Sequence, residues 1–404
     1  ITAVLVNFDS YRTRRVEKTR TYILKPRQDG SLYFVSGHQE YVNNNLVRLE
    51  GNYRRFDKIA GFEGNLSELS MLGENDGRII FANTPYDKNK NATLILLNPA
   101  SMKLEQELDT GVNFSRTDVR LNGDKIVVCL NDKIIVIDKS LKERAEVSLP
   151  QGLKDKIERE PQYDQYGFPD VYFGGYDVSS DFKRFVYADE QGLKLINIAD
   201  SSEILLAPTV PITGSKLLKN YYHSSPRFVA DGQKVISTLL GYESAVGYTL
   251  CNLEEGTYRT YDFASEAAST AFIRYDTGLL EINTYIRPNG KQTGEYKTLF
   301  LDFYTGEVKE IELKDPGETG YIVFPEACYV GLDYAAFITC EFDDNDYANN
   351  MSYLNRLNLK TLAVEDKIVT VKAANTSILG VLADGRILFW YSLNPSEEGI
   401  GITE

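Results

Sequence analysis

The stretch VSSDFKRFVYADEQGLKLINIADSSEILL, residues 178–206, decides the expected fold. A tight turn around residue 181 joins two apolar strands, and a Leu-rich third strand, LKLINIA, follows after a short loop. Short apolar runs separated by tight polar turns predict antiparallel strands that are connected one after another. The stretch therefore predicts a small antiparallel sheet as the unit of the fold.

The same unit recurs along the chain. The recurring turns lie near residues 30, 77, 123, 181, 232, 278, 332 and 385. Most are Asp-Gly, Gly-Asp or Asp-Thr-Gly, which suit corners that need a positive φ or a local Asx hydrogen bond. Most hairpins are followed by a third and a fourth strand, so the unit repeats roughly every 50 residues, the interval of a four-stranded propeller blade.

The fold class predicted from this repeat is all-β, an eight-bladed β-propeller of four-stranded antiparallel blades. The last hairpin lacks outer strands, whereas ITAVLVNF at residues 1–8 is a strand without a hairpin. The N-terminal strand is therefore expected to complete the C-terminal blade and close the ring, which removes exposed edges. Seven blades is the alternative, if the first or last unit is irregular. No linker divides the chain, so residues 1–404 are predicted to be a single domain, with one short helix within 151–161.

Two of the units carry a family resemblance. Residues 178–206 resemble the repeats of TolB-like (WD40-like) β-propeller proteins of bacteria, which typically read Ser-x-Asp-Gly-Lys-Arg before a strand and end a Leu-rich strand in Asp. SSPRFVADGQKVIST, residues 224–238, resembles the start of another repeat. Phe182 stands where the repeat usually has Gly. The resemblance implies the fold and leaves the function to be argued from a site.

Composition limits the partners and the location. The chain has 404 residues and a net charge of −14, which argues against binding nucleic acid or an anionic membrane surface. No apolar run is long enough to form a membrane-spanning segment. The four cysteines are scattered and are predicted to be free, buried thiols. Few Met and His beside abundant Tyr, Asn and Gly favour an extracytoplasmic bacterial protein, periplasmic or at the cell surface, with a lipid anchor as one form if residues precede Ile1.

The long loops are predicted to gather on one face of the disc. In a four-stranded blade the first-to-second turns lie on one face, and all of them are tight here. The second-to-third loops and the inter-blade connections share the opposite face, and the long examples are 37–45, 84–91, 240–247, 286–296, 342–352, 151–176 and 207–226. Binding usually concentrates where a rigid scaffold presents its long loops, so this long-loop face is the predicted functional face.

An aromatic run, PQYDQYGFPDVYFGGYD at residues 161–177, lies within the longest of these connections. Tyr163, Tyr166, Phe168 and Tyr172 offer rigid amphipathic area for a protein, peptide or glycan ligand. The competing interpretation is a long loop whose rings pack on one another as a small core.

Clustered acidic residues form a second candidate. Asp343, Asp344 and Asp346 provide hard oxygen ligands within one loop, as a polar flank or a Ca²⁺ site, and Asp87, Asn89 and Asn91 start a similar pattern. Neither completes an EF-hand loop, so a solvated polar hairpin is the alternative for both. No cofactor is predicted, and Ca²⁺ is the one candidate metal.

Catalytic signatures are weak. His38 and His223 are expected on two loops of the long-loop face, and the G-x-S-x-G elbow of α/β-hydrolases does not occur. The predicted function is a non-enzymatic binding or scaffold propeller. The alternative is a propeller hydrolase or lyase acting at the mouth of the central channel, where convergent carboxylates or a His–carboxylate pair would be expected. The sequence leaves ligand identity and oligomeric state open.

Overall fold

The protein is described here by a computed structural model, with strands numbered β1–β32 and one helix, α1. The structure describes residues 22–26, 32–36, 49–56, 58–160, 171–212, 220–241, 245–262, 270–274, 278–283, 297–311, 313, 321–323, 333–341, 350–372, 375–394 and 397–404. Within these ranges the chain forms one two-stranded hairpin and seven sheets of four or five antiparallel strands. The all-β fold class is confirmed.

The N-terminal hairpin and sheets 1 to 3 follow the chain. The hairpin pairs β1 (Tyr22–Pro26) with β2 (Leu32–Ser36). Sheet 1 is β5 (Leu69–Asn75), β6 (Arg78–Asn83), β7 (Thr93–Asn98) and β8 (Lys103–Asp109). Sheet 2 is β9 (Val119–Asn122), β10 (Lys125–Cys129), β11 (Lys133–Asp138) and β12 (Arg144–Ser148). Sheet 3 is β13 (Phe173–Val178), β14 (Arg184–Asp189), β15 (Gly192–Asn197) and β16 (Glu203–Pro208).

Sheets 4 and 5 continue the same order. Sheet 4 is β17 (Val210–Pro211), β18 (Asn220–Val229), β19 (Lys234–Leu240), β20 (Ala245–Asn252) and β21 (Thr257–Asp262). Sheet 5 is β22 (Thr270–Arg274), β23 (Gly278–Asn283), β24 (Lys297–Asp302) and β25 (Val308–Ile311). The predicted helix is α1 (Gln151–Ile157), between sheets 2 and 3.

Sheets 6 and 7 each take an outer strand from the N-terminal part of the chain. Sheet 6 is β26 (Tyr321–Val323), β27 (Tyr334–Glu341), β28 (Met351–Asn358) and β29 (Val364–Lys372), followed by β3 (Leu49–Gly51). Sheet 7 is β30 (Asn375–Val381), β31 (Ile387–Asn394) and β32 (Glu397–Thr403), followed by β4 (Tyr53–Phe56).

This pairing differs from the predicted first blade. By the repeat, the strands that follow the N-terminal hairpin would complete its blade, but β3 pairs with β29 and β4 pairs with β32. Sheet 7 has only three C-terminal strands, so β4 covers an edge whose backbone groups would otherwise lack partners. The expected closing strand, residues 1–8, lies outside the described residues.

Burial explains the order of strands within a sheet. In sheet 1 the central strands β6 and β7 are almost wholly buried, whereas β8 alternates between exposed and half-buried residues. Strands covered on both faces are continuously apolar, and a strand with one solvated face alternates. The last strand of the sheet is therefore the outer one, and the first strand is the innermost.

The tight turns also have the predicted geometry. Asp76 and Gly77 have φ of 50° and 72°, and Asp231 and Gly232 have φ of 55° and 78°. Phe182, which replaces the usual Gly, keeps the left-handed conformation at φ 58°. Its side chain packs against the apolar cluster that sheets 2 and 3 share, and this contact offsets part of the backbone strain.

Among the described residues, seven buried apolar clusters lie between sheets. Six of them each join two consecutive sheets, from sheets 1 and 2 through to sheets 6 and 7. The seventh cluster packs Leu388 and Ile400 of sheet 7 against Ile79 and Phe81 of sheet 1. Four-stranded antiparallel sheets that pack face to face in succession are the architecture of β-propellers, so the chain is a β-propeller repeat protein. No disulfide forms among the described cysteines, of which Cys251 and Cys340 are buried and Cys129 is half-buried, whereas Cys328 lies outside the described residues.

Candidate functional site at the junction of sheets 3 and 4

Only part of the predicted site falls within the described residues. Tyr163, Tyr166 and Phe168 lie outside them, as do Asp343, Asp344 and Asp346. Tyr172 is described, and it immediately precedes β13, the innermost strand of sheet 3. The geometry of the site is therefore built from Tyr172 and the residues around it.

A bulge shapes the start of β13. The pairing of β13 with β14 shifts between Phe173 and Tyr176, and Gly174 and Gly175 occupy the bulge. A Cβ on Gly174 would lie 2.2 Å from the backbone oxygen of His223 in β18, so only glycine allows this approach of the two inner strands. The Ser224 hydroxyl donates to the Gly174 carbonyl over 3.5 Å across the same contact. The bulge is thus a close junction between sheets 3 and 4.

Tyr172 and Tyr222 form an aromatic pair at this junction. Their ring centroids lie 5.2 Å apart, with planes tilted by 46°, and both side chains are half-buried. Burial raises the pKa of Tyr172, although a hydrogen bond with Ser224 opposes the shift, so the phenol is neutral at physiological pH. Because Tyr222 pairs with Leu240, at the end of β19, the aromatic pair lies at the edge where the loop between β19 and β20 emerges.

The other described aromatics of the run belong to the core. Tyr176 is buried and donates from its hydroxyl to the carbonyl of Leu130. Phe173 packs against the cluster shared by sheets 2 and 3. These two residues therefore belong to the core between sheets 2 and 3, and not to a ligand surface or to a small core made by the rings of the loop.

A buried carboxylate ties the innermost strands of three sheets together. Asp177 in β13 is completely buried and accepts hydrogen bonds from the guanidinium groups of Arg120 in β9 and, over 3.5 Å, Arg227 in β18. The backbone N–H of Phe228 donates to its second oxygen over 2.8 Å. Arg227 also donates to the carbonyl of Thr117 over 2.9 Å. Sequence reasoning missed this network, and the available signal was a set of charged residues on predicted innermost strands.

Desolvation limits what the network can do chemically. Burial lowers the pKa of Arg227, while the nearby Asp118 opposes the shift. Asp177 is engaged by three donors from two neighbouring sheets, so it is poorly placed to take up a proton from a ligand. The arrangement is suited to holding three sheets in register.

His223 lies in strand β18, not on a loop as predicted. It is completely buried, with Nδ1 2.8 Å from the Ser237 hydroxyl and Nε2 2.9 Å from the Pro208 carbonyl. Since a carbonyl only accepts, Nε2 carries the proton and Nδ1 accepts from Ser237. Burial lowers the pKa of His223, although the bond to Pro208 opposes the shift. The pair resembles a Ser–His couple in connectivity only, because both side chains are fully buried. His38 lies outside the described residues.

A second buried carboxylate holds α1 against sheet 3. Asp189 accepts from Lys156 of α1 over 2.9 Å and from Lys194 over 3.0 Å. Burial alone raises the pKa of Asp189, but hydrogen bonds from Lys156, the Gln191 backbone and Lys194 outweigh it and hold that pKa below its usual range. The helix that precedes the aromatic run is thereby attached next to the junction.

The loop at 84–91 uses its own oxygens for turn formation. Asp87 accepts from the backbone N–H of Asn89 over 3.0 Å, and Asn91 donates to Asp109 over 3.2 Å. Within the described ranges no group of three or more His, Cys, Asp or Glu side chains is arranged to hold a metal ion. The Asp343 cluster is outside those ranges and stays a prediction.

Comparisons with known proteins add fold-level likenesses. No family model matches the chain, and no curated protein does. A structure of oligogalacturonate lyase in complex with manganese matches 95% of this chain and 96% of its own, with a TM-score of 0.48 and 11% identity. The Pan2 WD40 domain from Neurospora crassa matches 88% of this chain and 95% of its own, with a TM-score of 0.42 and 6% sequence identity. BamB from Moraxella catarrhalis matches 88% of this chain and 100% of its own, with a TM-score of 0.36 and 8% sequence identity. Likenesses of this size carry no argument about activity.

No helix in the described part of the chain is long and apolar enough to cross a membrane.

Proposed function

We propose that this propeller is a non-enzymatic binding or scaffold protein that recognises a protein, peptide or glycan ligand through its long-loop face. The observation that carries the proposal is the half-buried Tyr172–Tyr222 pair at the junction of sheets 3 and 4. Aromatic side chains that are braced on one side supply contact area at a low entropic cost.

The proposed site extends from this pair along the connection that precedes it. Tyr163, Tyr166 and Phe168 lie within ten residues of Tyr172 in the sequence, so they belong to the same connection. We assign Asp343, Asp344 and Asp346 to a polar flank on the same face. The Asp189–Lys156 ion pair supports the placement of the aromatic connection, because it attaches α1, from which the connection leaves, to sheet 3.

We further propose that the ring consists of sheets 1 to 7. The seven clusters that link each sheet to the next, and sheet 7 to sheet 1, support this count over eight. An eighth blade would need two outer strands for the N-terminal hairpin, but β3 and β4 already pair with sheets 6 and 7. An extracytoplasmic location belongs to the same proposal and rests on composition alone.

Binding is favoured over hydrolysis or elimination by the state of the described polar groups. Asp177 is occupied by two arginines and a backbone N–H, and the His223–Ser237 pair is sealed from solvent. Catalytic acids and bases must reach the proton that they transfer. Neither group meets this requirement.

The test begins with the full chain screened against a glycan array and a displayed random-peptide library. We expect one of the two to yield a ligand that is recovered unchanged after incubation. Tyr172→Ala should weaken its binding roughly tenfold or more, as loss of an aromatic hot spot does. Tyr304→Ala, which removes an exposed tyrosine from the turn between β24 and β25, away from the long-loop face, is the matched control and should bind like the wild type.

Two results would overturn the proposal. One is a bound ligand that the protein converts into a new product, which would favour the lyase or hydrolase alternative. The other is a Tyr172→Ala variant that folds normally and binds with unchanged affinity.

A further inference from the structure

Two β-bulges face each other on the inner strands of sheets 3 and 4. In β18 the pairing with β19 shifts between Ser224 and Arg227, and Ser225 within this bulge has a φ of 48°. The bulge of β13 lies against it, because a Cβ on Gly175 would be 3.9 Å from Cδ of Pro226. Bulges re-aim side chains and are over-represented next to active sites. The side chain that directly follows the bulge of β18 is that of Arg227.

Arg227 extends along the inner edge of β13. Its Nη2 donates over 2.9 Å to the carbonyl of Thr117, which precedes β9 in sheet 2. Sheet 3 packs between sheets 2 and 4 through two apolar clusters, so a side chain of sheet 4 can reach sheet 2 only past an edge of sheet 3. β13 is the strand at that edge, and its Asp177 also contacts Arg227. Since the innermost strands of a propeller surround its central channel, the guanidinium of Arg227 borders this channel.

The guanidinium of Arg227 has hydrogen-bond donors that the described residues do not use. A guanidinium carries five N–H donors. One binds the Thr117 carbonyl, and a second points to Asp177 over 3.5 Å, at the long limit for a hydrogen bond. Among the described residues no further acceptor is bonded to Arg227, and 23% of its side chain is exposed. A molecule in the channel can therefore reach the remaining donors.

Two guanidinium groups share one carboxylate at this contact. Arg120 and Arg227 both bind Asp177, so the contact itself carries one more positive than negative charge. Asp118 also lies near Arg227, but its carboxylate accepts from the backbone N–H and the hydroxyl of Ser115, over 2.8 and 2.7 Å. Burial lowers the pKa of Arg227 although Asp118 opposes the shift, so the charged guanidinium is incompletely solvated. An added anion would stabilise that charge.

We propose that Arg227 binds the carboxylate group of a ligand in the central channel. Guanidinium and carboxylate are both planar, and their charge-assisted hydrogen bonds are strong. Asp177 and Asp118 repel a doubly charged phosphate more than a singly charged carboxylate, so the site selects the carboxylate. The net charge of −14 does not prevent this binding, since exposed charges are screened beyond about 8 Å at physiological ionic strength. The proposal does not depend on the Tyr172–Tyr222 pair, so either can fail alone.

The first test titrates the full chain with ¹³C-labelled acetate and follows line broadening by NMR, with chloride holding the ionic strength constant. We expect saturable binding with a dissociation constant on the order of millimolar for so small a probe. Arg227→Gln should weaken it roughly tenfold or more, because hydrogen bonds to a charged group are lost. Arg356→Gln should bind like the wild type. Arg356 is a matched control because it is exposed to 22% and donates to a carbonyl of the next sheet, that of Gly385, and to the carboxylate of Glu365.

A second test uses the wild type alone and so does not depend on the folding of a variant. Phenylglyoxal modifies accessible guanidinium groups, and peptide mass spectrometry locates the modified arginines. Acetate should slow the modification of Arg227 several-fold and leave the rate at Arg356 unchanged. An Arg227 that reacts at the same rate with and without acetate, or that does not react at all, would overturn the proposal.

Further probes distinguish the source of the carboxylate and its chemical class. A poly-glutamate peptide that binds more tightly than acetate would identify an acidic residue of a larger ligand, whereas binding of acetate alone would identify a small free acid. Both results support the proposal. Phosphate that binds more tightly than acetate would contradict the selection of a carboxylate. Acetate that shows no saturable binding, or a folded Arg227→Gln variant with unchanged affinity, would overturn the site itself.

Discussion

The third-to-fourth turns and the junction of sheets 3 and 4 are built in contrasting ways. In five sheets the turn begins with Asn or Asp, whose side chain accepts from backbone N–H groups two or three residues later, and its fifth residue has a positive φ. The first residues are Asn98, Asn197, Asn252, Asp302 and Asn358, and the fifth are Met102, Ser201, Gly256, Gly306 and Leu362. In each of these turns the side-chain acceptor and the backbone donors that it binds lie within three residues of each other.

At the junction, by contrast, the partners are far apart in the chain. Asp177 binds Arg120, 57 residues earlier, and Arg227, 50 residues later. Gly174 is required by a carbonyl of His223 in the next sheet. The turns are thus formed by local interactions, while the junction depends on contacts that exist only when three sheets are assembled. Bulges and departures from the local pattern, such as those at the junction, are frequent at functional sites.

The largest effect that separates the two regions should come from Asp177. Asp177→Asn leaves two guanidinium groups without their shared carboxylate, and breaking such a buried pair costs roughly 3–5 kcal/mol. Urea unfolding should show this loss of unfolding free energy. Asp189→Asn, the matched change in the α1 attachment, should cost less, because Lys156 can turn towards water. Equal losses of unfolding free energy in the two variants would show that the junction contributes no more to stability than the attachment of α1.

Gly174 should give the next largest effect. In Gly174→Ala the new Cβ meets the His223 carbonyl, so the inner strands must separate, and overpacking of this kind costs about 1–3 kcal/mol. Gly152→Ala in α1 is the control, since nothing lies within 4 Å of the added Cβ, and Ala in a helix is more stable than Gly. Thermal melting of both variants measures the difference. The close approach of the strands would be contradicted by an unchanged melting temperature in Gly174→Ala.

A turn substitution should have the smallest effect. Asn252→Ala removes the acceptor for the backbone N–H groups of Glu254 and Glu255, a loss of about 1 kcal/mol. Asn252→Asp keeps an acceptor oxygen and should recover most of the stability, although its charge lies near two glutamates. Urea unfolding of both variants measures how much the side-chain acceptor stabilises the turn. If both variants were equally destabilised, the side-chain acceptor would not be what holds the turn.

The sequence predicts what is local in this fold. Asp and Gly at the first-to-second corners locate the tight turns, and α1 is found from residues 151–161 alone. Strand sharing was not predictable in this way, because β4 pairs with β32 more than 300 residues away in the chain. His223 was expected on a loop because it lies within the long connection 207–226, but β18 already begins at Asn220 and packs against β13.

The candidate site could likewise be predicted only in its local part. The aromatic run pointed to Tyr172, and the structure adds Tyr222 from the next sheet as its partner. Tyr176, in the same run, is a core residue, and nothing in the local pattern separates it from Tyr172. The distinction depends on whether the ring meets the cluster of sheets 2 and 3 or the junction, which is information held by distant residues.

The central claim, that the Tyr172–Tyr222 pair binds ligand as one unit, is tested most directly by a double-mutant cycle. Affinity for the ligand selected from the glycan or peptide screen is measured by calorimetry for Tyr172→Ala, Tyr222→Ala and the double variant. Residues in contact that act together show strong non-additivity, so the double variant should bind no more weakly than the weaker single variant. Unchanged affinity in all three correctly folded variants would contradict the claim and move the binding site away from the junction.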